Sequence, residues 1–351
     1  ENGCLSLSTG EAVIRLKSTR PIIVRTIMPR WQALLALRIE GLSIENLTLA
    51  SVPPNAPEVL EYWQTYGLDV PQPLDTRDSG GWVQPLPADP ALAARWCCAF
   101  HNNGIEIYLV AERGETKEQA WIQADKVLTD AKRIGYTALA DGEATWWRNY
   151  WQQAAKVSIP DDTLQELYDL GLYKLAGMSM PGTPPACLQG PWIEEYRMPP
   201  WSADYHFNIN VQECYWPAYG GNHLETLQPL WQMLEAWMPR LRENARRVYG
   251  ITDGLMLPHA VDDRGTCMGG FWTGSIDHGS TSWMAQMMWL YYQYTGDTDF
   301  LRRLAFPFMQ GAMRVYEVML EEKDGQYSLP ISVSPEYGGS AMWAWGANAS
   351  F

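Results

Sequence analysis

Phenylalanine is scarce in this chain of 351 residues: seven Phe stand against 18 Trp and 18 Tyr, an aromatic set dominated by rings with a polar edge. Basic residues are in deficit too, 26 Lys and Arg against 40 Asp and Glu. The formal charge of -14 sets a polyanion against repulsion over most of the surface, so nucleic acid is not expected as a partner. No stretch reaches the roughly 18 uninterrupted apolar residues of a membrane-spanning helix, and no membrane span is expected. The six cysteines (Cys4, Cys97, Cys98, Cys187, Cys214, Cys267) form neither a C-x-x-C pair nor a short disulfide-like rhythm and read as buried thiols. G-x-S-x-G, Walker and G-x-G-x-x-G sequences are missing, which speaks against common esterase, nucleotide and dinucleotide chemistries and leaves no cofactor to expect. The start shows neither a charged n-region nor an apolar h-region, yet the first residue is Glu1 and not Met. The expectation is a leader or larger N-terminal piece removed ahead of it, with the compartment open between secreted or periplasmic and cytoplasmic.

What is present points to a globular fold: 46% of residues are hydrophobic, enough for one large core or two domains. Up to residue 115 the pattern is β-rich, with "AVIRLKS", "IIVRTIM", "LLALRIEG", "ARWCCAFHNN" and "GIEIYLVAER" separated by Pro, Gly, Asn and Asp. It reads as antiparallel sheet arranged as a β-sandwich over residues 1–115. Proline-rich residues 52–89 read as a long loop. A helix is expected from Thr116 to Ile134 in a linker spanning residues 116–145. From residue 146 to 351 the apolar spacing is helical. One helix follows Asp161 and Asp162, a long one is interrupted by Pro229 and Pro239, and two more are stopped by Gly296 and Gly325. Paired helices joined by long Trp- and Gly-rich loops suggest a toroid of helical hairpins.

The loops hold the chemistry. In "WSADYHFNINVQECYWPA", Trp201, Tyr205 and Trp216 offer stacking surfaces, while His206, Asn208 and Asn210 offer neutral donors and acceptors. On an extended backbone Asn208 and Asn210 share a face, where two amides hold a water or a sugar hydroxyl. The other reading is a turn whose Asn side chains bond the local backbone. In "SVSPEYGGSAMWAW", Glu336 lies among Tyr337, Trp343 and Trp345. Low-polarity neighbours disfavour its ionised form and suit it to act as an acid, as glycosidic cleavage requires; the alternative is a helix-start carboxylate after a proline. A third loop carries Trp272, Asp277 and His278. His259, Asp262, Asp263 and His278 follow no recognised ligand spacing, so no metal is expected.

Taken in order, "LQGPW", "PPW", "DYHFNINVQECYWPA", "NHLE", "WMAQMMWLYYQYTGDTDFLRRLAFPFMQGAMRVYEVML" and "SVSPEYG" resemble the catalytic domain of glycoside hydrolase family 95, the inverting α-L-fucosidases and α-L-galactosidases. The likeness covers about residues 140 to 351. It implies an (α/α)6 barrel behind a β-sandwich, with the site in the barrel mouth. It also implies Glu336 as general acid and Asn208 and Asn210 as water-positioning amides. Trp201, His206, Trp272, Asp277 and His278 are then expected to bind the sugar. The family's assisting aspartate lies beyond the "SPE" motif and is not among these residues, so the barrel is expected to be incomplete here and a further chain or subunit to complete it. The loop "TCMGGFWTGSIDHG" departs from the family's usual His- and Asp-bearing stretch, with Trp272 in the aromatic role. The expected function is exo-hydrolysis of a terminal α-linked sugar in an oligosaccharide or glycan, α-L-fucose foremost, with inversion. The alternatives are a polysaccharide lyase, with Asn208, His206 and Tyr205 as its machinery, and a non-catalytic carbohydrate-binding protein on the same fold.

Overall fold

A computed structural model describes residues 2–30, 32–42, 47–53, 57–192, 199–268 and 278–329. The chain divides into two compact units, the first running to Ala154 and the second from Ala155 onward. Glu336, Trp272 and Asp277 lie outside the described residues.

The first unit is organised by one antiparallel sheet. Its strands are β1 (Asn2–Leu5), β2 (Ala12–Leu16), β3 (Ile22–Ile27), β4 (Leu34–Glu40), β5 (Ser79–Gln84), β6 (Ala91–His101) and β7 (Gly104–Gly114), in the order β1-β2-β3-β4-β7-β6-β5. Alternation splits β6 cleanly between the two faces. Ala91, Ala93 and Cys97 join Tyr108 and Val110 beneath a helix, while Trp96, Cys98 and Phe100 pack with Ile105 and the partly buried Leu42, Leu47 and Leu49. The covering helix is α2 (Lys117–Ile134). Thr116 caps it by accepting from the Gln119 amide, and Ala120, Ala124, Leu128 and Ala131 lay a stripe of mainly small residues on the sheet. Among the described residues the layer on this face of the sheet is helical. Residues 116–145 are helical: α2 rests on β6 and β7, and α3 (Tyr136–Gln153) runs on past residue 145. The buried Glu143 of α3 anchors it by accepting from the Trp147 indole at 2.8 Å and the Arg30 amide at 3.1 Å.

The stretch read as a long loop also holds structure. Helix α1 (Pro57–Thr65) begins on a proline, which costs nothing at a first turn that has no amide partner to lose. Strand β5 pairs with β6 from Ser79↔Cys97 to Gln84↔Leu92. The prolines mark the ends of these elements.

In the second unit, α4 (Asp162–Met178) is capped by Asp161, whose carboxylate accepts from the Leu164 amide at 3.0 Å. It buries Leu172, Leu175 and Ala176 but leaves Leu164 and Leu167 exposed, so only its C-terminal half belongs to the core. Pro229 sits in the first turn of the helix Gln228–Tyr249, and Pro239 lies inside it without ending it. One lost ladder bond is offset there by the buried face from Leu230 to Ala245. The helix Phe306–Met319 packs on Gly279–Thr295 and Gln228–Tyr249. Gly311 lets the segment ahead of Gly279–Thr295 lie close against Phe306–Met319, since a Cβ there would fall 2.4 Å from Leu255, whose amide donates to the Gly311 carbonyl at 2.9 Å. Gly296 closes Gly279–Thr295 in a left-handed cap as expected. Gly325 instead turns a small hairpin, Glu321–Lys323 with Gln326–Ser328, beyond a helix that has already stopped at Met319.

Candidate active site

The segment from Pro199 to Trp216 is shaped by what it buries. Tyr205 and His206 form a two-residue strand paired with Ala260–Val261, in the register His206↔Ala260 and Tyr205↔Val261. The Phe207 amide continues the ladder to the His259 carbonyl at 2.6 Å. Phe207, Val211 and Tyr215 then recur every fourth residue, each fully buried, and pull the chain into a turn and a short helix, Asn210–Tyr215. The buried Gln212 ties the turn shut by donating from Nε2 to the Phe207 carbonyl. Of the two backbone readings left open at "NIN", the extended one is not what forms: Asn208 lies in a turn and Asn210 opens a helix. Strand alternation thus cannot be what brings the two amides to one point.

Two features of this segment cost stability. The Asn208 Oδ1 is buried with no hydrogen-bond partner among the described residues. Such an orphaned acceptor costs about 1–3 kcal/mol. Trp201, Ser202 and Ala203 take φ of 53°, 58° and 52°, the left-handed region that non-glycine residues avoid. Strain of this kind, on the order of 1–3 kcal/mol per residue, concentrates at ligand-binding segments. Trp201 stands 64% exposed, with its ring 5.8 Å from that of His206.

His206 is itself buried. Its Nδ1 lies 2.7 Å from Asp204 Oδ1, and its ring meets that of His259 edge to face at 4.6 Å. Asp204 and His259 were not singled out as sugar-site residues from the sequence. The signal for the first was there in Asp-x-His on an extended stretch; the second arrives through a strand pairing more than fifty residues away.

Behind the segment, the Tyr215 hydroxyl accepts from the Ala186 amide and donates to Ser179 Oγ, both at 2.8 Å, and Ser179 passes the chain to the Thr226 carbonyl at 2.9 Å. Burial, foremost, holds the Tyr215 phenol well above its ordinary range, so it remains a neutral strut. Tyr215→Phe leaves the Ala186 amide unsatisfied and is expected to cost about 1–3 kcal/mol. A lower urea midpoint at constant denaturant slope checks it. Burial, with the neighbouring Cys187 and Glu213 adding to it, also pushes the Cys214 thiol up to about 11. A thiol in that range is not a nucleophile at neutral pH. Iodoacetamide is expected to leave Cys214 unmodified in the native protein and to label it once urea unfolds the chain, a difference that peptide mass mapping reads directly.

His278 precedes the helix Gly279–Thr295 and is held from behind. Its Nδ1 meets the Tyr249 hydroxyl at 2.5 Å, and its carbonyl accepts from Tyr316 at 2.7 Å. Asp262 turns its carboxylate inward to the amides of Arg264 and Thr266. Among the described residues, no three His, Cys, Asp or Glu side chains converge as metal ligands would. A cavity of about 500 Å³ opens on the sheet of the first unit between Leu35, Trp82, Trp96 and Leu109; its walls are mainly apolar, with Ser51 and Arg95 among them, and carry none of the candidate residues.

The family model described as "Glycosyl hydrolase family 95 catalytic domain" matches residues 140–346. Among curated proteins, "Probable alpha-fucosidase A" of Aspergillus niger is 34% identical over 189 residues, which cover 52% of this chain and 24% of that one. "Alpha-L-fucosidase 2" of Arabidopsis thaliana is 32% identical over 187 residues, covering 50% of this chain and 21% of that one. The chain thus spans about a quarter of the length of the curated relatives it matches. A solved structure described as "Putative kojibiose phosphorylase from human microbiome" superposes with a TM-score of 0.70 at 12% identity, over 95% of this chain and 48% of that chain. This is a likeness of fold, a sheet unit followed by the helices of an (α/α)6-barrel enzyme.

Proposed function

The chain belongs to glycosyl hydrolase family 95, and from that premise we propose that it is part of an exo-acting α-L-fucosidase that works with inversion. The observation that carries the reading is the family match over residues 140–346, which takes in both the "NIN" turn and the "SPE" motif. Two of its curated relatives are named alpha-fucosidases, which favours fucose as the sugar. Glu336 protonates the glycosidic oxygen as its bond to the anomeric carbon breaks. A water oriented by Asn208 and Asn210 attacks that carbon from the opposite face, and its proton passes to a carboxylate outside this chain's residues. Acid and base stand about 6.5–9.5 Å apart in such a mechanism, leaving room for the water. The open ring of Trp201, together with Trp272, covers the apolar face and methyl group of the 6-deoxy sugar; His206, Asp277 and His278 meet its hydroxyls.

In this reading the first unit is a supporting domain, residues 146–351 carry the catalytic part of the barrel, and a further chain segment or subunit completes it. The short span relative to the curated relatives supports that last point. The test is to incubate the complete enzyme with an α-L-fucosyl oligosaccharide and measure free fucose. Release of fucose supports the reading. An absorbance rise from unsaturated products on uronic-acid polymers makes the protein a lyase instead, and calorimetric binding of fucosides without release makes it a binding protein.

A further inference from the structure

We propose that Asp204 is a positioning residue that fixes the proton of His206 on Nδ1 and thereby presents Nε2 to the sugar as a hydrogen-bond acceptor. The inference deepens the proposed fucosidase site and rests on that reading for the identity of the ligand. Its structural basis is independent of it. Asp204 and His206 lie two residues apart on extended backbone, so their side chains leave the same side. Both side chains are more than nine-tenths buried, at 5% and 7% exposure, with Oδ1 and Nδ1 2.7 Å apart. An ionised carboxylate can only accept, so the proton of this bond belongs to Nδ1. The backbone of His206 is locked in the pairing with Ala260, and the His259 ring stands edge to face against its imidazole. Among the described residues, Nε2 has no hydrogen-bond partner, and the exposed ring of Trp201 lies alongside. A neutral imidazole in this state offers a lone pair at Nε2, matched to the O–H of a sugar held against the indole face.

Asp204→Asn isolates the effect, because an amide of the same shape can donate to Nδ1 and turn the ring to the opposite tautomer without emptying the site. Long-range 15N–1H correlation spectra of the complete enzyme report which ring nitrogen carries the proton; this chain carries five histidines, and loss of one signal in His206→Gln assigns it. The expected result is a proton on Nδ1 in the native enzyme and on Nε2 in Asp204→Asn. With α-L-fucosides, kcat/KM should then fall about tenfold or more, carried mainly by KM, as for a lost binding interaction. A proton on Nε2 in the native enzyme overturns the proposal, and that measurement needs no variant to fold. An unchanged tautomer and KM in folded Asp204→Asn overturns it as well. If the tautomer switches but the native enzyme releases no fucose, the positioning role stands and the fucosidase reading fails.

Discussion

Glu336→Gln is expected to lower kcat on an α-L-fucosyl oligosaccharide by on the order of 10²–10⁴-fold, the usual contribution of a general acid. Glutamine keeps the shape of the side chain, but it has no proton of suitable acidity to give. The sugar alcohol that leaves from an oligosaccharide is a poor leaving group unless protonated. Fluoride needs no such help. The variant should therefore keep far more of its activity on α-L-fucosyl fluoride than on the oligosaccharide, and the ratio of the two losses is the quantity to measure. Equal losses on both substrates would remove Glu336 from the role of acid.

Asn208→Ala is expected to separate activity from stability. If the amide orients the attacking water, its loss should reduce kcat by about 10²–10³-fold, as when one preorganised donor is taken from a reacting centre. The fold should not suffer in proportion. Oδ1 of Asn208 is a buried acceptor without a partner among the described residues, and truncation removes a polar atom whose desolvation is uncompensated. The melting temperature is expected to stay level or rise while turnover collapses. A clear fall in melting temperature with intact kcat in the folded fraction would make Asn208 a structural turn residue.

The sequence carried its local signals faithfully. Thr116 and Asp161 start helices by the side-chain bonds their types allow, and the five quoted β-rich runs became β2, β3, β4, β6 and β7. Where reading by residue type failed, a distant partner decided. Pro239 stays within a helix because the flanking turns are buried. Residues 79–84 become a strand because β6 offers them an edge. At the site, the amides of "NIN" were legible as chemistry, but the choice between an extended backbone and a turn was not, since it is made by Phe207, Val211 and Tyr215, which are drawn inward at helical spacing. His259 comes to His206 through the pairing of two very short strands, which propensity over so few residues does not reveal.

The stereochemistry of the first product tests the account most directly. Proton NMR of the complete enzyme acting on an α-L-fucoside, recorded before mutarotation equilibrates the sugar, distinguishes the two anomers as they form. Single displacement by a water held opposite the leaving group predicts β-L-fucose as the first species, decaying later to the equilibrium mixture. α-L-Fucose as the first species would require a covalent intermediate on the enzyme and would contradict the assignment of Asn208 and Asn210 to the attacking water.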